Sequence, residues 1–298
     1  MIVSASVLVP SIGFGLVTAS ILALAAVGFT LQFGVTNILN LAYGDVMAAA
    51  AFIGYVLNKH GASIAISLVV GAVFGAVASL LLNRCLYMPF LRRGTKLFGM
   101  VIVTLSAGII IQNALLAIFG ATFFTYKFSV GSQVHVAGMV FNGSQILIMG
   151  LAVAAMLLVQ VVLTQTRLGK AMRATAANAG LAQASGIATD RVVDVAWLLS
   201  GALCGLAGVV LVLNTSAFQS TTGNDFLVII VAAAMLGGVG RATGAMVAAL
   251  VLGVVTEVAA GYISPSFKEV IAFGVLVVVL LIRPQGIFGQ AAVERDLA

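Results

Sequence analysis

Long apolar segments recur along almost the whole chain, and more than any other feature they restrict it to a membrane fold. Nine segments approach or reach the roughly 20 residues that a helix needs to cross a bilayer. They are residues 11–31, 41–57, 62–82, 97–119, 144–163, 195–213, 226–240, 242–262 and 270–282. The sequence therefore predicts an all-α integral membrane protein, a polytopic bundle of about eight or nine transmembrane helices in a single domain over residues 1–298.

Two of these segments are short for a complete crossing. Segment 41–57 follows the run GVTNILN at residues 34–40, and segment 226–240 ends in LGGVG. Either segment could be half of a broken or re-entrant helix. Lipid tolerates such a break only where protein or a water-filled path surrounds the exposed backbone.

Composition excludes a large soluble domain. Hydrophobic residues make up 62% of the chain and charged residues only 7%, whereas soluble domains carry about a quarter charged residues. The formal net charge of +6 does not indicate nucleic acid, because the basic residues are scattered over short loops. The chain has no Gly-x-x-x-x-Gly-Lys-Ser/Thr loop. We therefore expect no cofactor in this chain, and any ATP to be bound by partner subunits.

The basic residues are distributed unevenly between the two sides of the predicted bundle. With the amino terminus outside, only Lys59, Lys127 and Lys268 face outward, and a cleaved signal peptide is not expected, because no Lys or Arg precedes Lys59. The inner side then carries Arg84, Arg92, Arg93, Lys96, Arg167, Lys170, Arg173, Arg191, Arg241, Arg283 and Arg295. By the positive-inside rule, this bias predicts a cytoplasmic carboxyl terminus.

A polar stretch at about residues 164–194 interrupts the apolar pattern. Its Ala-rich part, residues 171–186, lacks proline and predicts a short helix on the cytoplasmic side. Gly169 and Gly186 bracket this helix, where changes of direction cost least. On charge alone, a plain positive-inside anchor explains the stretch equally well.

Four sequence blocks in order resemble the permease subunits of branched-chain amino acid (LIV-type) ABC importers. The blocks are LAAVGFTLQFGVTNILNLAYGDVM, the polar stretch with GKAMRATA, GIATDRV and LSGALCGLAG, then LGGVGRATGAMVAALVLGVVTE, and finally LLIRPQGIFG. The chain departs from the family's pattern at Tyr43, where histidine is more usual, and at Asn178, where an acidic residue is frequent. The second departure puts a salt bridge at Asn178 in doubt.

The resemblance implies a type II ABC importer-like permease of the bacterial inner membrane, forming the path for branched-chain or related amino acids. It further implies a second permease subunit, identical or different, two cytoplasmic ATPase subunits and an external solute-binding protein that holds most of the selectivity. The stretch 164–194 is similar to the helix that couples such permeases to the ATPase. The predicted coupling residues are Gly169, Lys170, Arg173, Ala174, Gly186, Ile187, Asp190 and Arg191. Permeases for urea and short amides share these blocks and stay open as an alternative.

Polar residues within the apolar segments are few, and such residues normally face the bundle interior or a water path. We expect Asn37, Asn40, Asp45 and Glu257 to border the solute path. Asn37 and Asn40 are three residues apart and are expected on one helical face. Interhelical hydrogen bonds explain the asparagines equally well, and for Glu257 a structural hydrogen bond or a gate is favoured.

Small residues four apart predict close helix packing at Gly71 and Gly75, Gly201 and Gly205, and Gly240 and Gly244. Other function classes find less support. Neither the histidines, His60 and His135, nor the cysteines, Cys85 and Cys204, form a catalytic, metal-binding or disulfide pattern. A secondary transporter would need more acids deep in the membrane. A passive channel would have no use for the cytoplasmic helix.

Overall fold

The computed structural model describes residues 5–127, 133–136, 139–215, 217–238, 240–283 and 285–288, and this part of the chain is almost entirely helical. Its helices are α1 Ala5–Thr36, α2 Tyr43–Lys59, α3 Ile64–Leu81, α4 Met88–Arg92, α5 Leu97–Phe119, α6 Gly143–Gln165, α7 Arg167–Ala177, α8 Ala179–Ala184, α9 Thr189–Asn214, α10 Thr222–Gly237, α11 Ala242–Tyr262 and α12 Lys268–Ile282. A π-helical segment, Leu82–Tyr87, joins α3 to α4, and a 3-10 turn, Pro265–Phe267, precedes α12. Two short antiparallel strands, β1 Val134–Val136 and β2 Met139–Phe141, precede α6.

Seven helices of the described chain are long and apolar enough to cross a membrane. The two segments that the sequence marks as short are α2, with 17 residues, and α10, with 16. The prediction of a helical membrane bundle is therefore confirmed. Several helices continue past the predicted limits, because polar residues such as Gln32 at the end of α1 and Asp190 at the start of α9 remain helical.

The helix directions define two ends of the bundle. Helices α7 and α8 lie between the end of α6 and the start of α9, and the ends of α1, α4, α10 and α12 lie on the same side; we call this the α7–α8 end. Among the described basic residues, only Lys59, Lys127 and Lys268 lie at the opposite end. The predicted segregation of charge is thus present in three dimensions, while Arg295 lies outside the described residues.

Two sets of four helices are arranged with inverted direction. The first helix set is α1, α2, α3 and α5, and the second helix set is α9, α10, α11 and α12. Helix α1 packs along α11 just as α9 packs along α3, and α5 packs against α2 as α12 packs against α10. Each helix runs opposite to its counterpart.

Small residues allow the long helix pairs to touch backbone to backbone. A Cβ atom on Gly75 would overlap Gly201, and one on Gly205 would overlap Gly71, so the two predicted glycine pairs pack on each other between α3 and α9. In the second pair of helices, Gly253 meets Ala19 in the same way. The third predicted pair is wrong, because Gly240 precedes α11 with a left-handed φ of 84° and cannot share a helical face with Gly244.

Aromatic side chains close the opposite end of the bundle. Phe52 stacks on Phe119 with ring centroids 4.4 Å apart. Phe124 and Phe218 join the two helix sets by a pair of backbone hydrogen bonds of 2.9 and 3.0 Å. The Tyr126 hydroxyl donates to the Ala51 carbonyl at 2.7 Å, and burial raises the pKa of this phenol. These contacts fix the loops above α2 and α10.

Candidate functional site

The chain leaves helical geometry between α1 and α2, at residues 37–42. Asn37 takes a left-handed conformation with φ of 53°, which asparagine tolerates better than most residues because its short polar side chain bonds locally. Helix α1 therefore ends at Thr36. The prediction that Asn37 and Asn40 share a helical face is wrong: Asn37 is exposed, whereas Asn40 is fully buried inside the break.

Buried hydrogen bonds hold this break in place. The Asn40 side-chain oxygen accepts from the Tyr87 hydroxyl at 3.0 Å and from the Ala42 backbone N–H at 3.1 Å. The hydroxyl of Tyr43, the first residue of α2, donates to the Ala25 carbonyl of α1 at 3.0 Å. Asn40 thus serves as an interhelical hydrogen-bond acceptor. Interhelical hydrogen bonding was the alternative that the sequence left open beside a position on the solute path. The non-helical backbone is enclosed by protein, as lipid requires.

A second break, described over residues 217–221, precedes α10. The Gln219 backbone N–H donates to the Thr222 hydroxyl, and its side-chain amide donates to the Thr221 hydroxyl, both at 2.9 Å. Helix α10 starts against α2, because a Cβ atom on either Gly44 or Gly223 would overlap the backbone of the other. We call this contact, with Asp45 and Asp225 in the adjoining first turns, the junction.

The two junction acids have different surroundings. Asp45 is 4% exposed and packs against Gly108 of α5. Asp225 is exposed beside Asn224, which is also exposed. The residues predicted from the sequence to border the path do not include Asn224 or Asp225. The sequence TTGND could have indicated these two residues, because its polar and acidic side chains stand at the start of an otherwise apolar helix.

Glu257 lies away from the junction, near the opposite end of the bundle. Its carboxylate accepts from the Thr18 hydroxyl at 2.8 Å and pairs with the Lys268 ammonium at 2.5 Å. It therefore ties α11 to α1 and to the start of α12. The structural hydrogen bond favoured for Glu257 is present, and the four predicted path residues do not form one cluster.

Polar side chains between α1, α3 and α9 extend from the break toward the α7–α8 end. The Ser200 hydroxyl donates to the Gln32 side-chain oxygen at 3.1 Å. Trp197 packs against Tyr87 with ring centroids 5.4 Å apart. The Trp197 indole N–H and the Gln32 and Asn40 amide nitrogens have no hydrogen-bond partner within the described chain. Sequence reasoning missed Trp197 and Ser200.

The polar stretch forms two helices at the α7–α8 end rather than the single helix predicted. The Thr166 hydroxyl accepts from the Gly169 N–H at 3.1 Å and caps α7. The Asn178 side-chain oxygen accepts from the Leu181 N–H at 3.0 Å and caps α8. Aspartate caps helices as well as asparagine, so the family's acidic residue at this position can serve the same structural purpose.

The bracketing glycines have different roles. Gly186 follows α8 in a left-handed conformation with φ of 84°, as a predicted turn requires. Gly169 lies inside the first turn of α7, where a Cβ atom would overlap the carbonyls of Val162 and Leu163. Its smallness seats α7 closely against the end of α6, and it does not mark a helix boundary.

The remaining predicted coupling residues are spread over one surface. Lys170, Arg173, Asp190 and Arg191 are exposed, while Ala174 and Ile187 are half-buried. The Arg173 guanidinium donates to the Leu163 carbonyl. Sequence reasoning missed Leu181, which is 66% exposed on α8. The sequence could have indicated Leu181, because it is the only large apolar residue in the run AANAGLAQASG.

A basic cleft of about 580 Å³ lies beside this surface, between the π-helical segment, α4 and the start of α9. Arg84 forms an ion pair with Asp194, with Nε 3.1 Å from a carboxylate oxygen, and Arg92 lies 3.9 Å from Asp190. Arg93 also lines the cleft. These contacts join α4 to α9 close to α8.

The described residues contain no group of three or more His, Cys, Asp or Glu side chains that could hold a metal ion. Cys85 and Cys204 are both free. The junction inside the bundle and the surface at the α7–α8 end both carry hydrogen-bonding and charged groups.

Comparisons with known proteins give consistent results. Residues 11–280 match the model of a family described as "Branched-chain amino acid transport system / permease component". The chain is 31% identical over 302 residues to the high-affinity branched-chain amino acid transport system permease protein BraD of Pseudomonas aeruginosa, covering 94% of this chain and 95% of BraD. It is 29% identical over 296 residues to the corresponding protein LivH of Salmonella typhimurium, with the same coverage.

More distant similarity extends to other permeases. The ribose import permease protein RbsC of Escherichia coli is 28% identical over 253 residues, covering 78% of this chain and 73% of RbsC. The solved structure of PsaBC from Streptococcus pneumoniae in complex with Fab matches with a TM-score of 0.52 and 18% identity, covering 91% of each chain. This last match shows that the two chains share a fold.

Proposed function

The chain belongs to the family of permease components of branched-chain amino acid transport systems, and from that premise we propose that it forms the path by which branched-chain or related amino acids cross the bacterial inner membrane. The observation that carries the proposal is the family match over residues 11–280. This range includes every helix of both helix sets except the first residues of α1 and the last two residues of α12. Transport by such a chain requires no chemistry on the solute. Urea or a short amide is the alternative cargo.

We propose that two cytoplasmic ATPase subunits bind ATP and drive this permease, together with a second permease subunit and an external solute-binding protein. The basic α7–α8 end is then cytoplasmic, which agrees with the positive-inside rule, and the carboxyl terminus lies on that side. The aromatic-closed end faces the binding protein.

Coupling is proposed to pass through α7 and α8. These helices are short, capped and attached closely to α6 through Gly169, so a force on them is transmitted to the bundle with little local bending. Leu181 supplies an apolar contact for a groove of the ATPase. The exposed charges of Lys170, Arg173, Asp190 and Arg191 surround this contact. ATPase closure would move α6 and α9 together, as rigid-body switching requires.

We propose that the solute path passes the junction, where Asn40 and Asp45 lie at the break between α1 and α2. Asn37 marks the end of α1 nearer the cytoplasm. Glu257 lies nearer the external end and acts through its bonds to Thr18 and Lys268, which hold α1, α11 and α12 together.

The proposal is tested by purifying the chain with its candidate ATPase and permease partners and reconstituting the assembly in vesicles. ATP-dependent uptake of leucine, isoleucine or valine in the presence of the binding protein is the expected result. Uptake of urea without uptake of amino acids would show that the transported solute is urea. Downhill flux through the purified chain alone would contradict an ATP-driven permease.

The coupling surface is tested by Leu181→Ser. We expect this change to weaken co-purification with the ATPase at least tenfold while leaving the bundle folded, because Leu181 is exposed and makes few contacts inside this chain. Ile263→Ser is the matched control, since Ile263 is 67% exposed at the opposite end. Equal loss of ATPase from both variants, or from neither, would reject α8 as the docking element.

A further inference from the structure

The junction lies halfway along the bundle. Asp45 packs against Gly108, the central residue of the 23-residue helix α5. Helix α10 starts at the same level, because Gly44 and Gly223 are in contact. Both α2 and α10 therefore begin at mid-depth and run toward opposite ends, so their amino termini converge. Each carries an acid in its first turn, Asp45 on α2 and Asp225 on α10.

The Asp45 carboxylate is an unusual group at this depth. Its side chain is 4% exposed, and its Oδ1 atom has no hydrogen-bond partner among the described residues. Asp225 lies in the adjoining first turn of α10, on the other side of the contact between Gly44 and Gly223. An ionisable side chain buried in a membrane bundle normally has a partner, because an unpaired one is costly.

The Asp225 carboxylate faces out of the bundle. The Asp225 backbone N–H donates to the Thr221 carbonyl at 3.0 Å, and Asn224 beside it is also exposed. Polar and charged residues at mid-depth face a water-filled cavity or another protein chain rather than lipid. The face of α10 formed by Asn224 and Asp225 is therefore open to water or to a partner chain rather than to lipid.

The part of the chain that the structure describes provides no cation for these acids. Its ion pairs are Arg84 with Asp194, Arg92 with Asp190 and Lys268 with Glu257, and all lie toward the ends of the bundle. The converging helix starts offset some of the negative charge, because a helix amino terminus carries partial positive charge and free N–H groups. The junction therefore presents acids and N–H donors side by side.

We propose that the junction binds the charged head of a zwitterionic α-amino acid in transit, with Asp225 and Asp45 receiving its ammonium group and the N–H groups at the starts of α2 and α10 receiving its carboxylate. This inference rests on the proposed transport function and names the part of the solute that the permease itself recognises. Asp225 makes the first contact because it is exposed. Asp45 takes part when the contact between α2 and α5 opens.

The test compares Asp225→Asn and Asp45→Asn with Glu269→Gln in vesicles that contain the complete ATP-driven assembly. Glu269 is an exposed acid in the first turn of α12, so its change removes the same charge away from the junction. We expect leucine uptake to fall at least tenfold in both aspartate variants and to be unchanged in Glu269→Gln. Asp225→Glu, which keeps the charge, is expected to retain most uptake.

A second measurement separates recognition from a structural role. Asn224→Cys, which keeps Asp225, is made in a Cys85→Ala background, since Cys85 is exposed and would react. We expect a cationic, membrane-impermeant methanethiosulfonate reagent to modify the new thiol, and leucine turnover to slow the modification. Absence of modification, or no effect of leucine on its rate, would overturn the proposal.

The outcomes separate this inference from the proposed function. Wild-type uptake by the Asp225→Asn assembly would overturn the inference and leave ATP-driven amino acid transport intact. Absence of amino acid uptake by the wild-type assembly would reject the proposed function and the inference with it. Proton entry coupled to leucine entry, recorded with a trapped pH-sensitive dye, would assign the acids to proton transfer and also overturn the inference.

Discussion

In the first helix set, the break between α1 and α2 exposes only Asn37, and its key acceptor Asn40 is fully buried beneath Tyr87. The break leads into a helix start at which Asp45 is buried. In the second helix set, the break before α10 is bounded by half-buried Gln219 and leads to the exposed Asn224 and Asp225. The same inverted arrangement of helices thus supports two different environments. One half supplies a rigid wall, and the other presents polar groups outward at the same depth.

The comparison shows that the two halves share their helix geometry but differ in their hydrogen bonding. Backbone contacts through small residues are shared, since Gly205 on Gly71 and Gly253 on Ala19 are equivalent crossings. Hydrogen bonding is not shared, because the first break is fixed by buried bonds and the second by bonds near its surface. Stability of the fold should therefore depend on both crossings alike but on the two breaks unequally.

The largest effect is expected from filling the crossings. Gly205→Val and Gly253→Val both place a side chain against the backbone of a neighbouring helix, which cannot move without separating the pair. We expect loss of monodisperse protein in detergent, measured by size-exclusion chromatography. Gly150→Val and Gly274→Val are matched controls, because a Cβ atom at either position meets nothing within 4 Å. Tolerance of one crossing variant but not the other would break the equivalence of the halves.

A smaller and unequal effect is expected from the two breaks. Asn40→Ala leaves two buried donors, the Tyr87 hydroxyl and the Ala42 N–H, without their acceptor, at a cost of about 1–3 kcal/mol each. Gln219→Ala removes one partly buried side-chain bond to Thr221, at a cost of about 1 kcal/mol. Thermal unfolding in detergent should show the larger fall in Tm for Asn40→Ala. Equal shifts would contradict the contrast between an enclosed and an open break.

The smallest effect is expected from the ion pair at the opposite end. Glu257→Gln removes the charge that pairs with Lys268 but keeps an oxygen that accepts from Thr18. The Lys268 side chain left behind is one-third exposed, so the loss of stability should be below about 1 kcal/mol. Arg84→Met tests the pair with Asp194, which joins the π-helical segment to α9 at the α7–α8 end. Small Tm shifts are expected for both, since each pair lies at the edge of the bundle. A shift larger than that of Asn40→Ala would reverse the ranking of buried bonds over peripheral charges.

The amino-acid sequence predicts the membrane bundle well because apolar length is a local property. It also marks α2 and α10 as short, since GVTNILN and LGGVG interrupt the apolar pattern. It misplaces Asn37 and Asn40 on one helix, because their spacing of three is compatible with a helix and only the left-handed Asn37 excludes it.

The inverted repeat and the junction depend on contacts between distant residues, which local patterns do not encode. Gly44 and Gly223 are far apart in the chain, and neither belongs to a pair spaced by four. Gly240 and Gly244 have that spacing and still do not share a helix. Glycine spacing therefore indicates close approach without identifying the partner.

The π-helical segment Leu82–Tyr87 has a consequence for how much the chain length can vary. A π turn holds an additional residue, and each residue of an α-helix rotates the side-chain direction by about 100°. The segment thereby sets the rotational phase between Gly71 and Gly75, which face α9, and Tyr87, which reaches Asn40. Deleting a single residue there would satisfy one of these contacts only by giving up the other, so this stretch has a fixed length even where its individual side chains are replaceable.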